Sequence, residues 1–322
     1  MNYFLRILIL TSLNFIAYDF AQAQQVSIPP MMRIIVPFSP GASTDIIARA
    51  IASQLSTRLG NSVIVENKPG GSTFIGASAV AKGPQDGSWL LFTSISTLTA
   101  AATSKSVPLD VVNDLMPISI IGEGPLVLAV TAKSEIKNAV DFVSAAKANP
   151  SKVTNGSGGV GTIQHLAAEL LNDMAKIQLN HIPYKGSAPG VIDLASGTIE
   201  TMFATSSTVA PQVKAGRVRL VAVTSMKPSL AFPNLPTISS VVPGFELSLY
   251  TVMFAPPGVS SALLKRLNQE INEIGKSKEI IELMLADGAT SVSLSNDEVS
   301  SRVKSSFMMY KKIATEKNIT LD

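Results

Sequence analysis

Phe38-Ser39-Pro40-Gly41-Ala42-Ser43-Thr44-Asp45 and Gly156-Ser157-Gly158-Gly159-Val160-Gly161-Thr162 are two loops that each run from a strand-like segment into a helix-like one. Before the first loop, residues 33–38 form a short apolar run ending at Pro37. After it, Ile47, Ile51, Leu55 and Leu59 recur four apart, which predicts a helix ending at Gly60. Val63-Ile64-Val65 and, beyond a turn at residues 84–87, Trp89-Leu90-Leu91-Phe92 read as further strands. Around the second loop, Thr162 is a candidate N-cap for a helix whose one face carries Ile163, Leu166, Ala167, Leu170, Leu171 and Met174. Residues 177–183, 201–204 and 218–224 read as strands, and Gly197 closes a helix holding Val191, Ile192 and Leu194.

Strands alternating with helices predict an α/β protein, with mostly parallel sheets flanked by helices. Residues 126–131 read as a strand leaving the first unit, and residues 247–255 as one returning to it after a proline-rich connection at residues 228–243. The expected domains are therefore 30–125 plus 247–322, and 126–246, joined by two chain crossings of the kind that make a hinge. In the last third, Leu263, Leu267, Ile271 and Ile274 form one helical stripe and Val299, Val303, Phe307 and Tyr310 another, both read as packing.

Composition narrows the function classes. With 46% hydrophobic and 15% charged residues, the 322-residue chain can build a large core, which excludes disorder. Its length favours two domains. A formal charge of +3 with scattered basic residues gives no footprint for nucleic acid and suits small anions. The absence of cysteine removes disulfides, thiolate metal sites, lipid attachment at cysteine and thiol catalysis. His165 and His181 are too few and too far apart in sequence to suggest a metal site. Residues 1–23 have the form of a signal peptide: Arg6 near the start, an apolar stretch over residues 4–18 broken by Thr11, Ser12 and Asn14, and Ala21-Gln22-Ala23 as a cleavage site. Export to the periplasm with cleavage after Ala23 is expected.

Gly156, Gly158 and Gly161 fit the spacing of a dinucleotide-binding turn. The segment before them, Lys152-Val153-Thr154-Asn155, is weak as a strand, and the next strand ends at His181-Ile182-Pro183-Tyr184-Lys185 without the carboxylate that holds a ribose. No nucleotide cofactor is expected, and a nucleotide-dependent enzyme using the Gly156 loop is kept as the alternative. There is no G-x-S-x-G elbow, and Asp45, Asp86, Glu123 and Glu169 come one per loop without the pairing that acid–base catalysis needs. No enzyme is expected. What the two loops do offer is small residues at helix starts, where free N–H groups and the positive end of the helix dipole receive an anion. Two such sites on separate lobes suit a small acid gripped from both sides.

The residues also resemble a known family. Arg33-Ile34-Ile35-Val36-Pro37-Phe38 with Pro40-Gly41 and Ser43-Thr44-Asp45 is similar to the opening signature of the periplasmic receptors of tripartite tricarboxylate transporters, the Bug or TctC-type proteins. The likeness continues through Val65-Glu66-Asn67-Lys68-Pro69-Gly70, Asp86-Gly87, Pro117-Ile118, Gly156-Ser157-Gly158, His165-Leu166, Pro183-Tyr184-Lys185-Gly186, Leu235-Pro236-Thr237 and Ala255-Pro256-Pro257-Gly258. It implies a two-lobed type II periplasmic-binding fold that captures a small di- or tricarboxylate and hands it to a membrane permease; a monomer is expected, and presentation of the ligand to a membrane sensor is kept as a further alternative. Carried over by position, the ligand contacts would be Ser39, Gly41, Ala42, Ser43, Thr44, Asp45 and Thr73 on one lobe and Ser157, Gly158, Gly161, Thr162, His165 and Tyr184 on the other. Two departures bear on the pocket: Ala42 stands where relatives carry a second glycine, and Phe74 where they carry asparagine. Simpler readings are that Asp45 complements the first turn of its helix, that His165 is a packing residue, and that Lys185 is solvated.

Overall fold

In the computed structural model, which describes residues 26–321, the chain forms two helix-flanked sheets. The expected signal peptide lies outside the described residues. The first unit contains β1 (Met31–Val36), α1 (Ser43–Leu59), β2 (Ser62–Asn67), α2 (Phe74–Ala81), β3 (Trp89–Ser94), α3 (Ser96–Thr103) and β4 (Met116–Pro125). The second contains β5 (Val127–Thr131), α4 (Ala139–Ala148), β6 (Thr154–Ser157), α5 (Ile163–Ala175), β7 (Asn180–Pro183), α6 (Ser187–Ser196), β8 (Thr201–Ala204), α7 (Ser206–Lys214) and β9 (Val218–Val223). The chain then returns through β10 (Ser248–Ala255), α8 (Ser261–Ile274), α9 (Lys278–Ala286), β11 (Thr290–Ser291) and α10 (Asn296–Glu316).

The strand orders are β11-β4-β10-β3-β1-β2 and β7-β6-β8-β5-β9. Both sheets are mixed, where the sequence pattern suggested mostly parallel ones. β1 runs parallel to β2 and β3, and β6 parallel to β7 and β8, but β10 is antiparallel to β3 and β4, and β5 to β8 and β9. The reason lies in the crossings. β5 and β10 are the strands that enter a sheet from the other one, so they run against strands whose C-terminal ends face the opposite unit.

Burial follows the apolar pattern. Met32, Ile34, Ile35 and Val36 are wholly buried because helices cover both sheet faces, so β1 reads as a continuous apolar run. Ile47, Ile51 and Leu55 seat α1 on that sheet, and Gly60 ends the helix at φ 67, a conformation that suits glycine. Leu263, Leu267, Ile271 and Ile274 do the same for α8, while α10 buries Val299, Val303 and Tyr310. α10 packs against both α3 and α5, and just beyond it Lys317 pairs with Asp173 at 2.6 Å.

The two crossings are knitted at Thr224, which is fully buried. Its backbone N–H donates to the Leu126 carbonyl at 3.0 Å and its carbonyl accepts from Leu247 N–H at 3.0 Å. Its hydroxyl accepts from Leu126 N–H at 2.8 Å and donates to the Leu247 carbonyl at 2.6 Å. Replacing Thr224 with valine keeps the shape and strands those backbone groups without a partner. The expected loss is about 1–3 kcal/mol of unfolding free energy, measured by urea denaturation; an unchanged midpoint would contradict the clasp.

Candidate functional site

Helix starts converge on one cavity of about 470 Å³ between the two sheets. Thr44 of α1, Thr73 at the start of α2 and Ser96 of α3 line it from one side. Thr162, Ile163 and Gln164 of α5, Gly186 and Ser187 of α6, and Thr205 before α7 line it from the other. First-turn N–H groups have no acceptor inside their own helix, and each helix carries about half a positive charge at that end. The lining is otherwise hydroxyls, glycines and a few apolar side chains such as Ile95, Leu249 and Met284. No lysine, arginine or histidine lines it among the described residues.

In the first loop, Thr44 faces this cavity, whereas Ser39, Gly41, Ala42, Ser43 and Asp45 are not among its lining residues. Asp45 is almost wholly buried and works inward. Its carboxylate accepts from Gly41 N–H at 2.9 Å, Arg49 Nε at 3.1 Å and Asn67 Nδ2 at 2.8 Å. Burial opposes its charge, but these donors outweigh that cost and hold its pKa below the ordinary aspartate value. The loop is thus shaped by an internal carboxylate, with Gly41 supplying the φ of 82 that its turn requires. Ala42 sits at φ −64, so its methyl group imposes no strain. Phe74 is buried in the core and is not among the cavity's lining residues.

Thr73 belongs to a strained turn: Ser72 and Thr73 have φ values of 51 and 80, and both line the cavity. Such left-handed conformations in side-chain-bearing residues cost about 1–3 kcal/mol each and cluster at functional positions. The Thr73 hydroxyl is held by Thr97 at 2.9 Å, which in turn meets Thr93 at 2.7 Å.

In the second loop, Gly158, Gly161 and Thr162 line the cavity; Ser157 and His165 stand behind it. Thr162 has the extended backbone of an N-cap, but its hydroxyl donates back to the Gly159 carbonyl at 2.8 Å and makes no cap bond. Gly161 adopts φ 78, and its N–H donates to His165 Nδ1 at 3.2 Å. The His165 ring stacks on His181, centroids 3.8 Å apart and planes 9° from parallel, and His181 Nε2 lies 2.7 Å from Ser157 Oγ. The stacked pair therefore fixes both ends of the loop. Tyr184 turns away and donates its hydroxyl to Asp193 at 2.7 Å; burial first, then that carboxylate, raise its pKa to about 12. Lys185 is exposed and does not line the cavity.

Sequence reading missed Ser72, Ser94, Ser96, Thr99, Gln164, Ser187, Thr205, Thr251 and Asp287 as lining residues. A signal for four of them was present. Ser94-Ile95-Ser96, Gly186-Ser187 and Ala204-Thr205 each place small or hydroxyl residues between a strand and a helix, the same grammar as the two loops that were read.

The sequence pattern of the tripartite tricarboxylate transporter family receptors, TctC, matches residues 47–319. This chain belongs to the TctC receptor family. Its relatives include protein BugT of Bordetella pertussis, 36% identical over 270 residues that span 83% of each chain. Among solved structures, an R. palustris protein with adipate is 29% identical with a TM-score of 0.74, covering 91% of this chain and 99% of the other. A TctC solute-binding protein from Polaromonas superposes with a TM-score of 0.79 at 23% identity, over 90% of this chain and 100% of that one, and shares the fold. Family and fold are those of solute-binding proteins.

In this receptor, burial and the neighbouring His181 push the His165 pKa from 6.5 down to about 4. The neutral ring is what lets Nδ1 accept from Gly161. A base with a depressed folded pKa stays neutral in the native state while the unfolded chain takes up a proton. The stability it preserves at neutral pH is therefore lost as pH falls from about 6.5 towards 4. His165→Asn keeps an acceptor near the Nδ1 position without the titration. Urea unfolding at pH 7 and pH 4.5 is expected to show the wild type losing more stability than this variant, by on the order of 2 kcal/mol. Parallel losses would refute the assignment.

Proposed function

We propose that the protein is a periplasmic receptor that captures a small organic carboxylate between residues 30–125 plus 247–322 on one lobe and 126–246 on the other. It delivers the ligand to a tripartite tricarboxylate-type permease and carries out no catalysis. The observation that carries this reading is the convergence of the α1, α2, α3, α5, α6 and α7 starts on a single cavity. Oriented amides and hydroxyls hold a carboxylate without a counter-ion. The R. palustris relative solved with adipate supports the same ligand class.

The ligand contacts in this reading are the amides and hydroxyls of Thr44, Thr73, Ser96, Thr162, Gln164 and Ser187. Asp45, Ser157 and His165 hold the loops from behind. A charge-assisted hydrogen bond contributes about 1.5–3 kcal/mol net, so several of them, less the ordering cost, reach the roughly 8 kcal/mol of micromolar affinity. Closure follows because only the closed form lets one ligand touch both lobes.

Titration calorimetry of the chain from residue 24 against succinate, adipate, citrate, glutamate and benzoate tests this. At least one is expected to bind with a dissociation constant in the micromolar range or below, and a flat response to all five would contradict the proposal. Gly161→Ala should weaken the best ligand by about tenfold or more. The position needs φ 78, and an added Cβ would stand 2.9 Å from Thr103 Oγ1. Unchanged affinity would separate the second loop from the site.

A further inference from the structure

Asp287 is the only charged side chain among the described residues that line the inter-lobe cavity. An acid is the last residue expected in a pocket for an anion, and its position is unfavourable on a second count. It is the C-cap of α9, where the helix dipole disfavours negative charge. It is held there by the first loop of the same lobe: Ser43 Oγ, in the first turn of α1, donates to Asp287 Oδ2 at 2.9 Å. Two carboxylates of the protein itself thus flank the first loop, Asp45 on the Gly41 N–H and Asp287 on the Ser43 hydroxyl.

Ser206 Oγ, in the first turn of α7, donates to the Asp287 carbonyl at 3.5 Å, and no lysine, arginine or histidine lines the cavity among the described residues. The Thr251 hydroxyl lines the same cavity, and its oxygen is buried without a hydrogen-bond partner among the described residues. Gly124 and Gly288 bring backbone close on the same side: a Cβ on Gly124 would lie 2.8 Å from Ala289 Cα. The far wall, with Gly158, Thr162 and the first turn of α5, is free of charged side chains. The cavity is thus polarised, positive helix ends on the second lobe facing a carboxylate on the first.

Resting on the carboxylate-receptor reading above, we propose that the preferred ligand is an amino-carboxylate: its carboxylate meets the α5 and α6 starts and its ammonium group meets Asp287. A simple dicarboxylate would bring a second negative charge against Asp287 with no base to separate them. Burial raises the Asp287 pKa and the Ser43 hydrogen bond lowers it, with burial the larger effect, so an ammonium partner also relieves the cost of keeping the side chain ionised.

The test is calorimetric titration of the wild type and Asp287→Asn at pH 7.5 with matched pairs: glutarate and glutamate, adipate and 2-aminoadipate, adipate and 6-aminohexanoate. In the wild type, at least one amino member is expected to bind about tenfold or more tighter than its diacid, and Asp287→Asn is expected to erase that preference. If diacids bind the wild type as tightly as their amino partners, or if Asp287→Asn keeps the preference, the proposal is overturned while the carboxylate receptor stands. If neither series binds the wild type, and circular dichroism shows it folded, the carboxylate reading falls as well.

Discussion

The direction of the strands is the constraint on which this receptor depends. β1, β3, β6, β7 and β8 all run towards the gap between the sheets, so each helix that follows begins there and turns its positive end inward. β5 and β10, which arrive from the other sheet, run the opposite way, as does the two-residue β11 beside β4. A pocket for negative charge is then a consequence of topology. It needs no arginine or lysine, and the lining has none among the described residues.

Two layers of side chains divide the work. Groups at the cavity are mostly hydroxyls, glycines and neutral side chains, whereas most ionisable groups stand one step back and set the loops. Asp45 gathers Gly41, Arg49 and Asn67; His165 and His181 brace Gly161 and Ser157. Such a layout keeps the contact surface preorganised, since a loop held from behind gives up little freedom when a ligand binds. Asp287 breaks the rule by standing in the front layer, which is why its charge is informative about ligand chemistry.

Much of this was legible in residue patterns. The four-residue spacing of Ile47, Ile51 and Leu55, the glycine stop at position 60, and the strand over residues 201–204 each correspond to an element, because local apolar periodicity and helix ends are encoded locally. Thr44, Thr73, Gly158, Gly161 and Thr162 were read as site residues and do line the cavity. The rest depends on information that sequence spacing does not hold. Tyr184 follows a strand end as a pocket residue would, yet the adjacent Asp193 on α6 draws its hydroxyl away. Asp287 comes to Ser43 across 244 positions, through the fold of the returning segment. β4, with its Pro117, Gly122 and Gly124, lacks a clean strand pattern because β10 and β11 pair with it around register shifts and close backbone approaches.

Ligand capture by this receptor therefore depends on oriented helix ends holding a carboxylate without a basic side chain. A crystal structure of the protein with its tightest-binding acid measures that directly. The carboxylate oxygens should lie about 2.7–3.2 Å from first-turn amides or hydroxyls of helix starts that line the inter-lobe cavity, those of α5 or α6 among them. A carboxylate bound outside the inter-lobe cavity, or held there by a lysine or arginine side chain, would contradict it.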